Sequence, residues 1–136
     1  MRSTGRTVES WVQAWDGHDG AALRALYTDD GSYRDVPTGM VATGDAIAGF
    51  AEEFAGRLTE GLRWELRRSA GAGDVAVAEW HLRATNRGLV PSATADGRPF
   101  DVQGATVFTL QGDRIVASSD YYDQATILRA VEGRRA

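Results

Sequence analysis

The spacing of the hydrophobic residues changes near residue 61, and this change restricts the fold more than any other feature of the chain. In residues 8–15, Val, Trp, Val and Trp recur at intervals of three and four positions, which is the pattern of one apolar helix face. From Leu62 onward the apolar residues alternate with polar ones, as in a half-buried β-strand. The chain therefore predicts helices first and a set of long strands afterwards.

The same spacing, together with caps and turns, predicts the individual elements. Asp19 has the character of an N-cap, residues 28–31 form a turn cluster, and Pro37 stops a short strand. The predicted helices cover 8–15, 19–27, 47–54 and the residues from 123 to about 131. The predicted strands cover 32–36, 62–66, 75–85, 100–110 and 114–122.

This order of elements predicts an α+β fold, because helices and antiparallel strands are segregated along the chain. We expect a curved antiparallel sheet that wraps around the N-terminal helices as a cone, with an apolar pocket inside. The 136 residues suffice for one hydrophobic core, and they contain no repeat and no linker. We therefore expect a single domain over residues 1–136.

Residue types that the chain lacks exclude several kinds of chemistry. There is no Cys for disulfides, thiolate nucleophiles or thiolate metal sites, and all 15 basic residues are Arg, so no Lys can form a Schiff base. Two His are too few for a His-rich zinc site, and we expect no metal. A net charge of −4 without a basic block argues against a nucleic-acid partner. With no apolar run of about 20 residues and no signal peptide, we expect no membrane partner and a cytoplasmic location.

Two acidic residues are candidates for acid–base chemistry. Asp35 follows Tyr33 by two positions in one predicted strand. Asp120 precedes Tyr122 by two positions in another, so each pair shares a strand face. Counting by two also places Val116 on the face of Asp120, which favours an inward direction. A carboxylate in an apolar pocket has a raised pKa that suits proton transfer near neutral pH. The alternatives are a solvated Asp before a turn and an outward strand face.

Several other residues have both a functional and a structural explanation. Four Trp in so short a chain favour a broad, flat apolar surface for a ligand, with core packing as the alternative. Gly104, on an inward face, would leave volume for that ligand. Glu79 and His81 alternate with apolar neighbours and are expected on the outer face of the sheet. Asp123 is explained by N-capping of the last helix.

Three segments carry a resemblance to a known superfamily. They are Tyr33-Arg-Asp35-Val-Pro37, Gly44-Asp-Ala-Ile, and the tail from Gly112-Asp-Arg-Ile-Val to Asp120-Tyr-Tyr-Asp123-Gln-Ala-Thr-Ile-Leu-Arg. With the element order, they closely resemble the nuclear-transport-factor-2-like superfamily over roughly residues 8–131. Within it the chain is most similar to SnoaL-like polyketide cyclases, ketosteroid isomerases and limonene-epoxide-hydrolase-like proteins. The resemblance implies a cystatin-like α+β domain without a cofactor, a hydrophobic small-molecule ligand, and a homodimer through the outer sheet face. The alternation in 62–66 is compatible with such a dimer.

The match to ketosteroid isomerases is partial. Asp35 falls where these enzymes carry their carboxylate general base. Trp11 falls where they carry an oxyanion-hole Tyr, and Thr106 falls where they carry a protonated Asp donor. The base is therefore retained, whereas both acidic donors are lost.

The match to limonene-epoxide-hydrolase-like enzymes is also partial. Asp120 falls on a catalytic carboxylate and Tyr33 on a Tyr that holds the attacking water, while Asp35 replaces its Asn partner. These enzymes also need an Arg-x-Asp pair on the strand here predicted at 75–85. The chain reads Ala-Glu-Trp-His-Leu-Arg at 78–83, which counts against the hydrolase reaction.

The sequence predicts a cofactor-independent acid–base enzyme, a cyclase or isomerase, that acts on a hydrophobic oxygenated small molecule of polyketide or terpenoid character. The predicted catalytic residues are Asp35, Asp120 and Tyr33, although the Asp of SnoaL-like cyclases matches either Asp120 or Asp123. Opening of an epoxide and binding without catalysis are the alternatives. The residues expected to contact the substrate are Trp11, Trp15, Trp80, Leu82, Gly104, Thr106 and Tyr122.

Overall fold

A computed structural model describes residues 2–92 and 94–132 as four helices and six strands. The helices are α1 (Arg2–Asp16), α2 (Gly20–Ala25), α3 (Ala46–Glu53) and α4 (Gln124–Glu132), and one π-helical turn (Phe54–Leu58) follows α3. The strands are β1 (Tyr27–Asp35), β2 (Met40–Thr43), β3 (Thr59–Ala72), β4 (Val75–Asn86), β5 (Pro99–Gln111) and β6 (Arg114–Tyr122).

The six strands form one curved sheet in the order β2-β1-β6-β5-β4-β3. Neighbouring strands run antiparallel, except that β1 and β6 run parallel. Register shifts in the β3–β4 and β5–β6 pairs bend the sheet, because an unpaired residue increases local twist. Helix α1 packs against β3 and helix α4 against β5, so that helices cover the inner face. The predicted α+β fold, with a sheet curved around the N-terminal helices, is confirmed.

Strand β1 begins earlier than the sequence predicts. Residues 28–31, predicted as a turn, lie inside the strand, where its pairing with β6 shifts register between Tyr27 and Ser32. Gly31 is suited to this irregular stretch, since a Cβ there would lie 3.0 Å from the carbonyl oxygen of Ile115. The short strand β2, which the sequence analysis did not predict, pairs with the second half of β1.

An aromatic core fills the space between α1 and the inner face of the sheet. Trp11 is fully buried there, stacked on Tyr33 with ring centroids 6.1 Å apart. Trp15 and Trp64 stack on each other at 4.6 Å. Because α1 covers this face, the alternation of residues 62–66 directs Trp64 into the core, where it is 5% exposed, and not toward an outer dimer contact. None of the helices in the described part of the chain is long and apolar enough to span a membrane.

Candidate active site

The register of three neighbouring strands brings the predicted acidic residues together. Strands β1 and β6 pair Asp35 with Asp120, and strands β6 and β5 pair Asp120 with Thr106. Paired residues on adjacent strands direct their side chains to the same face, about 5 Å apart. The two carboxylates, which are far apart in the sequence, are therefore neighbours on the inner face of the sheet.

This inner face borders a cavity of about 180 Å³. Asp35, Asp120 and Gln124 are among its polar lining residues, and aliphatic side chains from β4, β5, α4 and the segment 87–98 complete its wall. Among the described residues that line it there is no Arg, Lys or His. Its aromatic lining residues are Trp15, Tyr33, Phe50, Phe54, Trp64, Trp80, Phe100 and Tyr122. The cavity is therefore apolar, aromatic and acidic.

Both carboxylate oxygens of Asp120 accept hydrogen bonds from hydroxyl groups. The Tyr33 hydroxyl donates to Oδ2 at 2.5 Å, and the Thr106 hydroxyl donates to Oδ1 at 2.7 Å. Asp120 is 5% exposed, so the inward direction predicted for it is correct. Val116, which was used to argue that direction, points outward instead, because the β5–β6 register shifts between Ile115 and Ala117.

Asp35 is the more accessible of the two carboxylates. It is half-buried, and its Oδ2 accepts a hydrogen bond of 2.9 Å from the Tyr122 hydroxyl. Among the described residues, Oδ1 has no hydrogen-bond partner. Asp35 therefore keeps one unpaired carboxylate oxygen, which is itself buried, and Thr38 lies close to the carboxylate.

Burial sets the ionisation of the site. It raises the pKa of Asp120 to about 7, against the opposing hydrogen bonds from Tyr33 and Thr106, and the nearby charge of Asp35 adds to the increase. Burial also raises the pKa of Asp35, and the hydrogen bond from Tyr122 opposes that shift. Burial and the two carboxylates hold the pKa of both Tyr33 and Tyr122 far above 10. The tyrosines therefore stay protonated near neutral pH, whereas Asp120 changes its charge there.

Trp80 and Gly104 pack next to Thr106 and Asp120 and hold the Thr106 hydroxyl in position. The indole Nε1 of Trp80 donates to the Thr106 hydroxyl at 2.8 Å. A Cβ on Gly104 would lie 2.5 Å from Cη2 of Trp80. The missing side chain of Gly104 therefore makes room for the Trp80 ring and not for a ligand, contrary to the sequence-based expectation.

Of the seven predicted substrate contacts, four line the cavity: Trp15, Trp80, Leu82 and Tyr122. Trp11 does not, because its ring is enclosed in the core and its Nε1 donates to the Tyr27 hydroxyl at 2.9 Å. Neither Gly104 nor Thr106 lines the cavity. Gly104 is covered by the Trp80 ring, and the Thr106 hydroxyl is bonded to Oδ1 of Asp120.

The sequence analysis missed the wall formed by α3, α4 and the segment 87–98. Phe50 and Phe54 line the cavity from the helix that was predicted at 47–54, so their helical spacing was an available signal. Leu89 and Val90 were not predictable, because their positions depend on Asn86. Its side-chain Nδ2 donates to the carbonyl of Val90, and its Oδ1 accepts from the Val90 amide.

The described residues around the carboxylates form no site for a metal ion. In residues 2–92 and 94–132, no three His, Asp or Glu side chains lie close enough together to bind one. His81 is outside the cavity lining, on the outer face, near Asp101 at 3.3 Å. At the start of α4, Asp123 accepts a hydrogen bond from the amide of Ala125, as expected of a cap.

Comparison with known proteins agrees with this architecture. Residues 8–118 match the profile of the SnoaL-like domain. The chain belongs to the SnoaL-like domain family. No curated protein matches it. This SnoaL-like domain is similar to a protein of ketosteroid isomerase-like fold from Catenulispora acidiphila, in complex with trimethylamine, with 28% identity and a TM-score of 0.82 over 94% of this chain and 93% of that chain.

Two more distant structures share the fold of the SnoaL-like domain. A protein described as a SnoaL-like polyketide cyclase from Jannaschia is 16% identical, with a TM-score of 0.80 over 98% of this chain and 94% of that chain. An LEH-like epoxide hydrolase from M. tuberculosis is 19% identical, with a TM-score of 0.75 over 96% and 90% of the two chains. The superfamily resemblance read from the sequence is confirmed, and the reaction is not decided by it.

Proposed function

We propose that this SnoaL-like domain is a cofactor-independent acid–base enzyme, a cyclase or isomerase, that moves protons next to a carbonyl group of a compact hydrophobic molecule. The observation that carries the proposal is the pairing of Asp35 with Asp120 beside one apolar cavity. Two carboxylates in one low-dielectric site have their pKa values driven apart, so that one acts as base while the other acts as acid.

The environments of the two carboxylates suggest which role each one has. Asp35 has an oxygen without a partner and is half-buried, which suits a base that takes a proton from carbon. Asp120, whose pKa is raised to about 7, is able to carry a proton at neutral pH and suits the acid. Each such transfer contributes roughly 10²–10⁴-fold to a rate.

The cavity limits the size and charge of the substrate. Its volume of about 180 Å³ is only somewhat larger than the ~150 Å³ cavity that holds benzene in an engineered protein. We therefore expect a molecule of one or two rings, with a neutral carbonyl, since no described lining residue would pair with an anionic group. A polyketide of several fused rings would require movement of the wall.

The proposal is tested by proton exchange on β-tetralone, a compact bicyclic ketone. In heavy water the enzyme is expected to exchange the protons next to the carbonyl faster than buffer does, as read by NMR. Asp35→Asn should lower the exchange rate by about 10²-fold or more. Asp101→Asn, a carboxylate on the outer face, is the matched control. Equal exchange rates in the wild type and in Asp35→Asn would remove Asp35 from the mechanism.

Epoxide opening by water is the alternative within the same family. Tyr33, Asp35 and Asp120 meet as that reaction requires. On β4, however, Trp80 and Leu82 are the residues that face the cavity, and neither supplies the charge of an Arg-x-Asp pair. Oxygen from labelled water in the product of a small epoxide such as cyclohexene oxide would support hydrolysis over isomerisation.

Binding of a small organic ammonium ion without catalysis is a second candidate function. An aromatic lining with two carboxylates and no described cationic residue attracts such an ion, by cation–π and charge interactions. The related C. acidiphila structure holds trimethylamine. Trimethylammonium should then raise the melting temperature in a saturable way, and neutral tert-butanol should not. Absence of any rise with trimethylammonium would argue against this function.

A further inference from the structure

Trp80 fixes the direction of the hydrogen bonds that lead to Asp120. The Trp80 indole N–H is a donor only, so at 2.8 Å from it the Thr106 hydroxyl oxygen must accept. The single hydroxyl hydrogen of Thr106 is then free to donate, and Asp120 Oδ1 lies 2.7 Å away. The direction of this short chain therefore runs from Trp80 through Thr106 to Asp120.

This direction decides which oxygen of neutral Asp120 carries the proton. Thr106 is fully buried, and within the described part of the chain its hydroxyl has no acceptor other than Oδ1. A proton on Oδ1 would leave the Thr106 hydroxyl hydrogen unsatisfied, which is costly for a buried donor. The proton of neutral Asp120 therefore belongs on Oδ2.

Oδ2 is the oxygen that faces Tyr33. When Asp120 is ionised, the Tyr33 hydroxyl donates to Oδ2. When Oδ2 carries a proton, the Tyr33 oxygen, 2.5 Å away, is the acceptor for that proton within the described part of the chain. The hydroxyl hydrogen of Tyr33 must then turn away from Asp120, and Tyr33 lines the cavity.

We propose that Asp120 exchanges its proton with the ligand through Tyr33, and that Thr106 and Trp80 are positioning residues that impose this route. The inference rests on the proposed function, because it needs a ligand oxygen that takes a proton. It assigns the proton transfer to the Tyr33 hydroxyl, and Asp120, which also lines the cavity, supplies the proton through the contact of its Oδ2 with Tyr33. Tyr33 is held for this role by stacking on Trp11.

The transfer balances with Asp35 as the base. The carbon–hydrogen bond next to the ketone breaks, and its proton goes to Asp35. The Tyr33 hydroxyl proton goes to the ketone oxygen while the proton on Oδ2 of Asp120 goes to the Tyr33 oxygen. The ligand becomes a neutral enol, Asp35 becomes neutral, Asp120 becomes a carboxylate, and Tyr33 is unchanged. Burial keeps the pKa of Tyr33 far above 10, so a free Tyr33 phenolate would be unfavourable. The coupled transfer of the two protons avoids it.

Three other titratable groups face this pair, and each has its own partner or role. The Tyr27 hydroxyl accepts from Trp11 Nε1 and shares a hydrogen bond of 2.6 Å with Ser118 Oγ. The Tyr122 hydroxyl donates to Asp35. Asp35 raises the pKa of Asp120 but makes no hydrogen bond to Tyr33 in the described structure. None of the three replaces Tyr33 as the partner of Oδ2.

Infrared spectroscopy tests the position of the proton without a substrate. The carbonyl stretch of neutral Asp120 is obtained from spectra at about pH 5 and about pH 9, and it is assigned by its loss in Asp120→Asn. With the proton on Oδ2, Oδ1 is the carbonyl oxygen. Thr106→Val should then raise the frequency, Thr106→Ser should restore it, and Tyr33→Phe should change it less. The reverse pattern, with the larger increase in Tyr33→Phe, would overturn the inference.

Exchange on β-tetralone tests the route. Tyr33→Phe should lower the rate by about 10²-fold or more, as Asp120→Asn does, whereas the matched control Tyr121→Phe on the outer face should not. The hydrogen bond from Thr106 lowers the pKa of Asp120, so Thr106→Val should move the descending limb of the pH–rate profile to higher pH. Thr106→Ser should return that limb to its wild-type position. Thr109→Val on the same strand is the control.

The outcomes separate the two proposals. Full exchange in Tyr33→Phe together with loss in Asp120→Asn would mean that Asp120 acts directly, and the route would be wrong while the enzyme proposal stands. Absence of exchange in the wild type would remove the enzyme proposal and the route to a ligand with it. The infrared pattern would then still decide the position of the proton.

Discussion

At the scale of single residues, Asp120 is the carboxyl group whose pKa burial raises into the neutral range. It is 5% exposed, and burial disfavours the charged form of a carboxyl group. Two hydroxyl donors offset only part of this cost, so its pKa remains raised to about 7. The group therefore changes charge in the pH range where a proton donor is most effective.

The first prediction concerns the stability of Asp120→Asn. Because the folded pKa lies above the unfolded value of 3.8, the folded state binds more protons between these values, and stability falls as pH rises from about 4 to about 7. Asn resembles neutral Asp and lacks this dependence. The melting temperature of the variant minus that of the wild type should thus be several degrees larger at about pH 8 than at about pH 5. A change of 1 kcal/mol corresponds to roughly 3–5 °C for a chain of this size.

Asp113→Asn is the control for this measurement, since its side chain lies exposed in the turn between β5 and β6. Its melting temperature relative to the wild type should change little over the same pH range. A constant difference for Asp120→Asn at both pH values would mean that Asp120 is already ionised at pH 5 in the folded protein.

A second prediction concerns Gly104→Ala. The added Cβ would lie 2.5 Å from the Trp80 ring and 2.7 Å from the Tyr121 carbonyl oxygen, and the backbone atom cannot move aside easily. Overpacking of this kind costs about 1–3 kcal/mol, measured as the free energy of unfolding in denaturant. Gly49→Ala in α3, where a Cβ meets nothing within 4 Å, should be neutral or stabilising. Equal stability of Gly104→Ala and the wild type would contradict the tight packing.

At the scale of elements, the parallel pair of β1 and β6 forms the polar side of the cavity, and the segment 87–98 forms part of its apolar side. The described residues of this segment, 87–92 and 94–98, form no strand or helix except where Pro99 continues into β5, and Asn86 organises them. The Nδ2 of this buried side chain donates to the carbonyls of Val90 and Ala95, while the Val90 amide donates to Oδ1. One side chain therefore holds the wall that carries Leu89 and Val90.

The third prediction is that Asn86→Ala loosens this segment. Loss of three hydrogen bonds, each worth about 1 kcal/mol, should increase hydrogen exchange in 87–98 and accelerate tryptic cleavage at the exposed Arg87. Gln103→Ala, an exposed polar residue on β5, is the matched control. Unchanged exchange in 87–98 would show that the segment is held by other contacts.

At the scale of the whole molecule, the proposed activity requires opposite protonation states of Asp35 and Asp120, which come from distant parts of the chain. Exchange on β-tetralone should increase with pH as Asp35 ionises, and it should decrease as Asp120 loses its proton above about pH 7. The two limbs report apparent values of the coupled pair. This fourth prediction is measured as a pH–rate profile, and a rate that keeps rising well above pH 7 would contradict a protonated Asp120.

The homodimer implied by the family resemblance stays a prediction. Light scattering during size-exclusion chromatography should then give twice the 14.7 kDa of one chain. The outer face of β4, β5 and β6 carries exposed Val77, Val107 and Tyr121, whereas Trp64 is turned into the core. A mass of 14.7 kDa at all concentrations would exclude the dimer.

The sequence alone determined most of the elements and the faces of their residues. Helical and twofold spacing are local properties, so residues 8–15 and 75–85 were assigned correctly, as was the shared face of Tyr33 and Asp35. The same local reasoning was wrong at residues 28–31, because residues typical of a turn lie inside β1. It was also wrong at Val116, because a register shift reverses a face without changing the local pattern.

Only the tertiary structure decided which faces meet. Parallel pairing of β1 with β6 places Asp35 beside Asp120, and the antiparallel neighbour β5 brings Thr106 to the same carboxylate. Strand partners and register depend on packing between distant segments, and short-range spacing does not encode them. For the same reason, the link from Trp80 through Thr106 was visible only after the sheet had placed these side chains in contact.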